Sequence, residues 1–179
     1  MRDTVLHEGE REAQRRFGAE GYWDEARLGM IRDAIPPAWA AFLEAQAFFF
    51  IATANHRGEC DCSFRGREYN ARGEACPLLK VLDAKTLVFP DFSGNRLYNS
   101  LGNLLVNPHI GMLFVDFENR SRARVNGSAA IIEDRRVYAD LWPTAQRYVQ
   151  VTVQQAYPNC RARIPKMHPA PASDAFFDE

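Results

Sequence analysis

"FPDFSGNRLYNSLGN", residues Phe89 to Asn103, passes from an apolar run through Asp, Ser and Gly to an arginine and then into leucine-spaced sequence. Leu97, Leu101, Leu104 and Leu105 fall at the i, i+4, i+7, i+8 spacing of a buried helical stripe, which Asn107-Pro108 ends. Asn95, Asn99 and Asn103 recur at i, i+4, i+8 on another face. The spacing predicts a helix opening at Ser93-Gly94, with a leucine side for a core and an amide side for something polar. A helix start carries unpaired N–H groups and a partial positive charge, so it suits an anion. Gly94 would let a ligand approach the backbone, Ser93 and Asn95 can cap or donate, and Arg96 adds a permanent cation whose fork fits phosphate. The same residues are also routine turn chemistry, with Ser93 as a cap and Arg96 in solvent. Spacing alone leaves both readings open.

On either side of this stretch the period changes from helical to two. "AFFFIATA" (47–54) has the continuous apolar run of a buried strand, and "HRG" (56–58) fits a hairpin turn. In "ECDCSFR", Glu59, Asp61, Ser63 and Arg65 share one face while Cys60, Cys62 and Phe64 share the other. "PLLKVLD" (77–83) and "KTLVFP" (85–90) form a strand pair about Asp83-Ala84, and "HIGMLFVDF" (109–117) and "RARVNGSAAIIED" (122–134) add two strands. In "YVQVTVQQ" (148–155), Val149, Val151 and Val153 alternate with polar residues. About six strands with few helices predict a mainly β fold with flanking helices, a six-stranded β-barrel closed or nearly closed so that no long edge is exposed.

Upstream, a helix is expected from Thr4 to Gly18 with Asp3 or Thr4 as its cap, and a second from Pro37 to Gln46 with Trp39, Phe42 and Leu43 on one face. The tail "HPAPASDAFFDE" reads as a loose extension. The expectation is one domain over 1–179, with a helical segment to about residue 46 and a tail from about residue 166.

Composition narrows the classes. With 46% hydrophobic and 25% charged residues the chain reads as globular, and a net charge of −1 lacks the basic excess of a nucleic-acid binder. No run approaches the ~18 apolar residues of a membrane span, and the head "MRDTVLHEGEREAQRRFG" has no apolar leader core, so a cytoplasmic location is expected. Cys60, Cys62, Cys76 and Cys160 do not pair with the scattered histidines at zinc-ligand spacing, so no metal is expected. His7 and Glu10 stand in a charged helix that reads as a solvated face, and no acid–base pair stands out by spacing.

The order of segments adds a resemblance. "PLLKVL", "TLVFPDFSGNR", "NLLVNPH", "GMLFV" and "RVNG", with "HEGEREAQRRFG", "FFFIATA" and "CDCSFRGRE" upstream, resemble the pyridoxamine 5′-phosphate oxidase-like proteins over about His7 to Met167. That resemblance implies an FMN-binding split β-barrel. By it Asn95 and Arg96 take the flavin phosphate, and Leu79, Lys80 and Val81 run past the isoalloxazine ring with Phe89 and Pro90 beside them. Ser63 and Arg65 line the same cleft, Ser100 and Asn103 reach the ribityl or phosphate, and Arg124 and Asn126 match positions on the partner side of the site. A lone strand lysine such as Lys80 also snorkels outward in many proteins, and Arg124 and Asn126 also read as solvated strand residues.

The resemblance further implies a homodimer with FMN in the subunit interface, for which Tyr69, Phe92, Tyr98 and Trp142 are aromatic candidates that could equally be core. It implies an oxidoreductase acting on a small molecule, with NADH or NADPH as a candidate electron donor. The alternative is a non-catalytic flavin- or haem-binding barrel. Genuine pyridoxamine phosphate oxidases close with a Trp- and Arg-rich segment, whereas this chain runs "YPNCRARIPKMHPAPASDAFFDE", so the vitamin substrate does not carry over.

Overall fold

The computed structural model describes residues 5–70 and 72–168. Three helices, α1 (Glu8–Arg16), α2 (Glu25–Leu28) and α3 (Pro37–Ala45), precede two strands, β1 (Phe48–Ala54) and β2 (Cys60–Gly66). Then come β3 (Lys80–Asp83), β4 (Thr86–Asp91), α4 (Asn99–Val106), β5 (His109–Asp116), β6 (Ser121–Ile132) and β7 (Arg147–Pro158). The sheet has seven strands in the order β2-β1-β5-β6-β7-β4-β3, every described pairing antiparallel. This corrects the closed six-stranded barrel: β2 and β3 are the two ends of the sheet and do not pair.

The segment between those ends explains the gap. Arg67 turns away from β2 and donates to the carbonyls of Glu44 and Gln46 at the C-terminus of α3, where a cation meets the unsatisfied carbonyls of the last turn. Tyr69 and Ala75 then form a bridge of their own, with Asn70 accepting from the backbone of Arg72 and Glu74 in the turn. An edge that could have continued from β2 into β3 is broken in two.

The sheet nevertheless curls until its ends face each other. Phe49 of β1 packs edge-on against Phe89 of β4 at 5.3 Å, although three strands lie between β1 and β4 in sheet order, and stacks on Phe114 of β5 at 5.2 Å. Leu43, Ile51, Leu79, Leu87, Val125, Val149, Val151 and Val153 complete this main core. A smaller core gathers Cys76, Val88, Trp142, Ala145 and Tyr148, so Trp142 is interior rather than interface.

The head and the central helix both begin later than the spacing suggested. α1 is capped by His7, whose Nδ1 accepts from Gly9 while Glu10 returns a bond to the His7 N–H; the cap candidates Asp3 and Thr4 lie outside the described residues. α4 starts at Asn99, not at Ser93-Gly94, because Arg96 and Tyr98 take left-handed conformations (φ 63° and 57°) that a helix cannot contain. Of the leucine stripe, Leu101 and Leu104 are buried and Leu97 and Leu105 are exposed. Most of the tail, from residue 169, also lies outside the described residues. Among the described residues no helix is long and apolar enough to cross a membrane.

Candidate functional site

The alternation of β2 runs opposite to the usual rule of apolar inside. Asp61, Ser63 and Arg65 are half-buried and turned inward, while Cys60, Cys62 and Phe64 are exposed. The inward polar set has partners on α4. Asp61 Oδ2 accepts from Ser63 Oγ and Ser100 Oγ, both at 2.9 Å, and the two hydroxyls lie 2.8 Å apart. Asn99 reaches Asp61 Oδ1 at 3.5 Å, and Asn103 donates to Thr53 Oγ1 of β1 at 3.1 Å. The amide face of the helix is thus satisfied by the first two strands.

Where β2 faces β4 no ladder closes the sheet, and side chains bridge the seam. Asp91, at the end of β4, accepts from Arg65 of β2 at 3.1 Å on one carboxylate oxygen and from Arg147 of β7 at 2.8 Å on the other. The Arg147 guanidinium also lies over the Tyr98 ring, 5.2 Å from its centroid. Arg65 Nε is buried with no partner, an orphan donor of the kind that folded proteins rarely leave unmet.

Two lobes of one cleft open along this seam. The first, about 210 Å³, is lined by Ser63, Arg65, Gly94, Asn95, Arg96 and Ser100 among others. The second, about 280 Å³, shares Phe64, Arg65, Phe92 and Gly94 with the first and adds an apolar wall of Phe49, Leu78, Phe89 and Pro90. Together they reach the size of small-molecule sites, polar at one end and apolar at the other.

The loop of residues 93–98 forms the polar end. Asn95 Oδ1 accepts from the Leu97 N–H at 2.9 Å, which fixes the turn, so this amide oxygen is engaged with backbone. Arg96 is exposed and makes no hydrogen bond or ion pair among the described residues. A Cβ built on Gly94 meets nothing within 4 Å, so its backbone is open to approach from the cleft.

Of the residues that sequence suggested, Ser63, Arg65, Asn95, Arg96, Ser100, Phe89 and Pro90 line the two lobes. Six others are elsewhere. Leu79 is fully buried in the main core, and its neighbour Leu78 takes the cleft wall. Lys80 pairs with Glu44 of α3 at 3.1 Å, and the same carboxylate accepts from the Val81 N–H at 2.9 Å, so both belong to the α3–β3 junction. Asn103 is held by Thr53 and lines neither lobe.

Arg124 and Asn126 lie on the outer face of the sheet. They border a shallow apolar depression with Phe50, Ala52, Cys62 and Leu113. Beside it Phe48 stacks on Phe64 and Phe50 meets both edge-on, with Phe64 60% exposed. Sequence reasoning did not single out Asp91, Arg147, Phe49 or Leu78. Asp91 stood within the opening stretch, but only the meeting of β2, β4 and β7 gives its carboxylate two guanidiniums.

The fold and cleft define a mainly β protein with a cleft of small-molecule size at the open seam of its sheet. Residues 35–172 match the family of pyridoxamine 5′-phosphate oxidase, and the chain belongs to that family. No curated protein matches the chain at a significant level. Among solved structures, a variant of HupZ from Group A Streptococcus is similar, with 16% identity, 70% of this chain and 99% of that chain covered, and a TM-score of 0.53. So is a candidate pyridoxamine 5′-phosphate oxidase of Lactobacillus delbrueckii, at 14% identity, 70% and 95% coverage and a TM-score of 0.53. At these identities the likeness concerns the fold.

Proposed function

We propose that this chain binds FMN in the seam cleft and acts as an FMN-dependent oxidoreductase on a small molecule. The carrying observation is the polarity of the cleft: an orphan Arg65 Nε and an unpaired Arg96 at one end, and Phe49, Leu78, Phe89 and Pro90 at the other. A flavin mononucleotide has the matching order of phosphate, polyol and flat apolar ring. Arg65, Asn95 and Arg96 would hold the phosphate, and Ser63 and Ser100 would meet the polyol. When bound, the flavin supplies the hydride or electron chemistry, and the chain's part is to bind, orient and exclude water.

The protein functions as a homodimer in this reading. Arg124 and Asn126 stand on the outer face, away from the cleft of their own chain, and the exposed Phe64 beside Phe48 and Phe50 offers an apolar surface of the kind a second copy covers. That arrangement would bring Arg124 and Asn126 to the partner side of a flavin.

Flavin fluorescence quenching on titration with FMN tests the proposal. Because a hydrogen bond to a charged group contributes roughly 1.5–3 kcal/mol, Arg96→Ala should weaken FMN at least about tenfold. No FMN uptake by the wild-type protein would refute the flavin site, and a mass of one chain by light scattering at micromolar concentration would refute the dimer. Turnover is read separately, as NADH or NADPH oxidation by the FMN-loaded protein.

A further inference from the structure

Gly94 stands where three cavities meet. It lines the polar lobe, the apolar lobe and a third cavity of about 470 Å³ on the far side of the loop of residues 93–98. The far cavity is walled by Phe92, Arg96 and Tyr98 on the loop side and by Gln146 and Arg147 at the start of β7. The FMN of the proposed site does not reach it. A Cβ added to Gly94 would meet no atom within 4 Å, so no side chain obstructs passage over the loop at this point, and Arg96 lines the cavities on both sides.

We infer that the cleft continues over Gly94 into the far cavity and that this extension is an adenylate subsite. The chain then takes a flavin whose phosphate carries an AMP group, flavin adenine dinucleotide (FAD), as well as FMN. The inference rests on the flavin reading above, because the phosphate it extends is the one assigned to the polar lobe.

The chemistry of the far cavity is that of a nucleotide. Its lining holds two arginines and no carboxylate. Among the described residues Arg147 donates only through Nη1, to Asp91, which leaves Nε and Nη2 for a second phosphate. The Arg147 guanidinium lies 5.2 Å from the Tyr98 ring centroid, and Tyr98 is still half exposed, so it and Phe92 offer aromatic surface to a base. Gln146 donates to the Thr144 carbonyl at 3.4 Å, and its amide oxygen has no partner among the described residues. That oxygen suits the exocyclic amine of adenine, the base that side-chain amides pair with best. Arg96 and Tyr98 both hold left-handed conformations, a cost that proteins accept mainly where it sets side chains around a ligand. At about 470 Å³ the cavity is larger than either lobe and within the range of small-molecule sites.

Isothermal titration calorimetry of the full chain with FMN and with FAD, which differ only in the AMP group, tests the inference. Wild-type protein should bind FAD at least as tightly as FMN. Arg147→Gln should lower FAD affinity about tenfold while FMN stays within about threefold, because only the second phosphate meets Arg147. Arg147 also holds Asp91, so a second variant covers the case in which the first fails to fold. Tyr98→Asn removes the ring and keeps a residue that tolerates the left-handed backbone; it should cost FAD at least about fivefold more than FMN.

Selective loss of FAD affinity in either variant supports the inference. FAD binding about tenfold or more weaker than FMN in the wild type, or equal losses of the two ligands in both variants, overturns the adenylate subsite and leaves the FMN site standing. Binding of neither flavin by the wild-type protein refutes the flavin reading and the inference with it.

Discussion

Gly127→Ala would strike the longest ladder of the fold. The register between β6 and β7 shifts between Asn126 and Gly127, and at this bulge the two backbones approach so closely that a Cβ on Gly127 would sit 2.1 Å from the Thr152 carbonyl oxygen and 3.0 Å from its carbon. The obstacle is backbone, so no rotamer change relieves it. β7 would have to retreat by roughly 1 Å to restore ordinary contact, and β7 also pairs with β4, so two ladders share the strain. Overpacking costs typically about 1–3 kcal/mol, and a backbone clash belongs at the upper end. For a chain of this size, about 3 kcal/mol lowers Tm by roughly 6–12 °C. Thermal melting by far-UV circular dichroism reads the shift. Gly111→Ala is the control, since its Cβ would meet Asn126 Oδ1 at 3.5 Å and Ala52 at 4.0 Å, ordinary contacts on the outer face. If Gly127→Ala melts within about 2 °C of wild type, the tight approach at the bulge is not real and the register assigned to β6 and β7 is wrong.

Three further outcomes are expected. Gly94→Ala meets no atom within 4 Å, so Tm should hold, while FMN affinity should fall several-fold if the ligand packs on that backbone; equal affinity would move the ligand off the loop. Gly102→Ala, in the open face of α4, should gain about 0.5–1 kcal/mol from helix propensity, seen as a higher urea midpoint. Burial raises the pKa of Tyr148, whose hydroxyl donates to the Arg135 carbonyl at 2.7 Å. A raised phenol pKa stabilises the fold fully below the unfolded value near 10 and loses that contribution as pH climbs through the higher folded value. Tyr148→Phe should therefore be less stable than wild type at pH 8, with the gap narrowing above about pH 10 in melts across that range.

The strands were legible because their signals are local. Val149, Val151 and Val153 alternate and are all buried, and Asn55 to Gly58 makes its turn through Asn55 Oδ1 and a glycine at φ +81°. What failed depended on the third dimension. Nothing in "ECDCSFR" says which face points inward; the polar face does so because Ser100 and Asn99 arrive from α4 to meet Asp61. The leucine spacing suggested a helix from Ser93, but Tyr98 in a left-handed conformation delays it to Asn99. Lys80 pairs with Glu44 of α3, a partner 36 residues away that no local pattern points to. The loop arginine was readable as a candidate from its neighbours, whereas Arg147 lies 56 residues from Asp91 and no spacing rule connects them.

The unclosed sheet and the cleft have one physical origin. A ladder between β2 and β4 would satisfy backbone groups and leave no room, whereas a bridge made of Arg65, Asp91 and Arg147 keeps the strands facing each other with a gap between. Such a bridge is a weak fastener by itself, because the desolvation of buried charges offsets much of their attraction. It is a poor way to hold a barrel shut and a good way to hold donors beside a cavity. Ligand binding in the gap would stabilise the fold by linkage: a ligand at one hundred times its Kd adds about 2.7 kcal/mol, so FMN and riboflavin at equal multiples of their own Kd should raise Tm alike, and at equal concentration FMN should raise it more in proportion to the affinity its phosphate supplies.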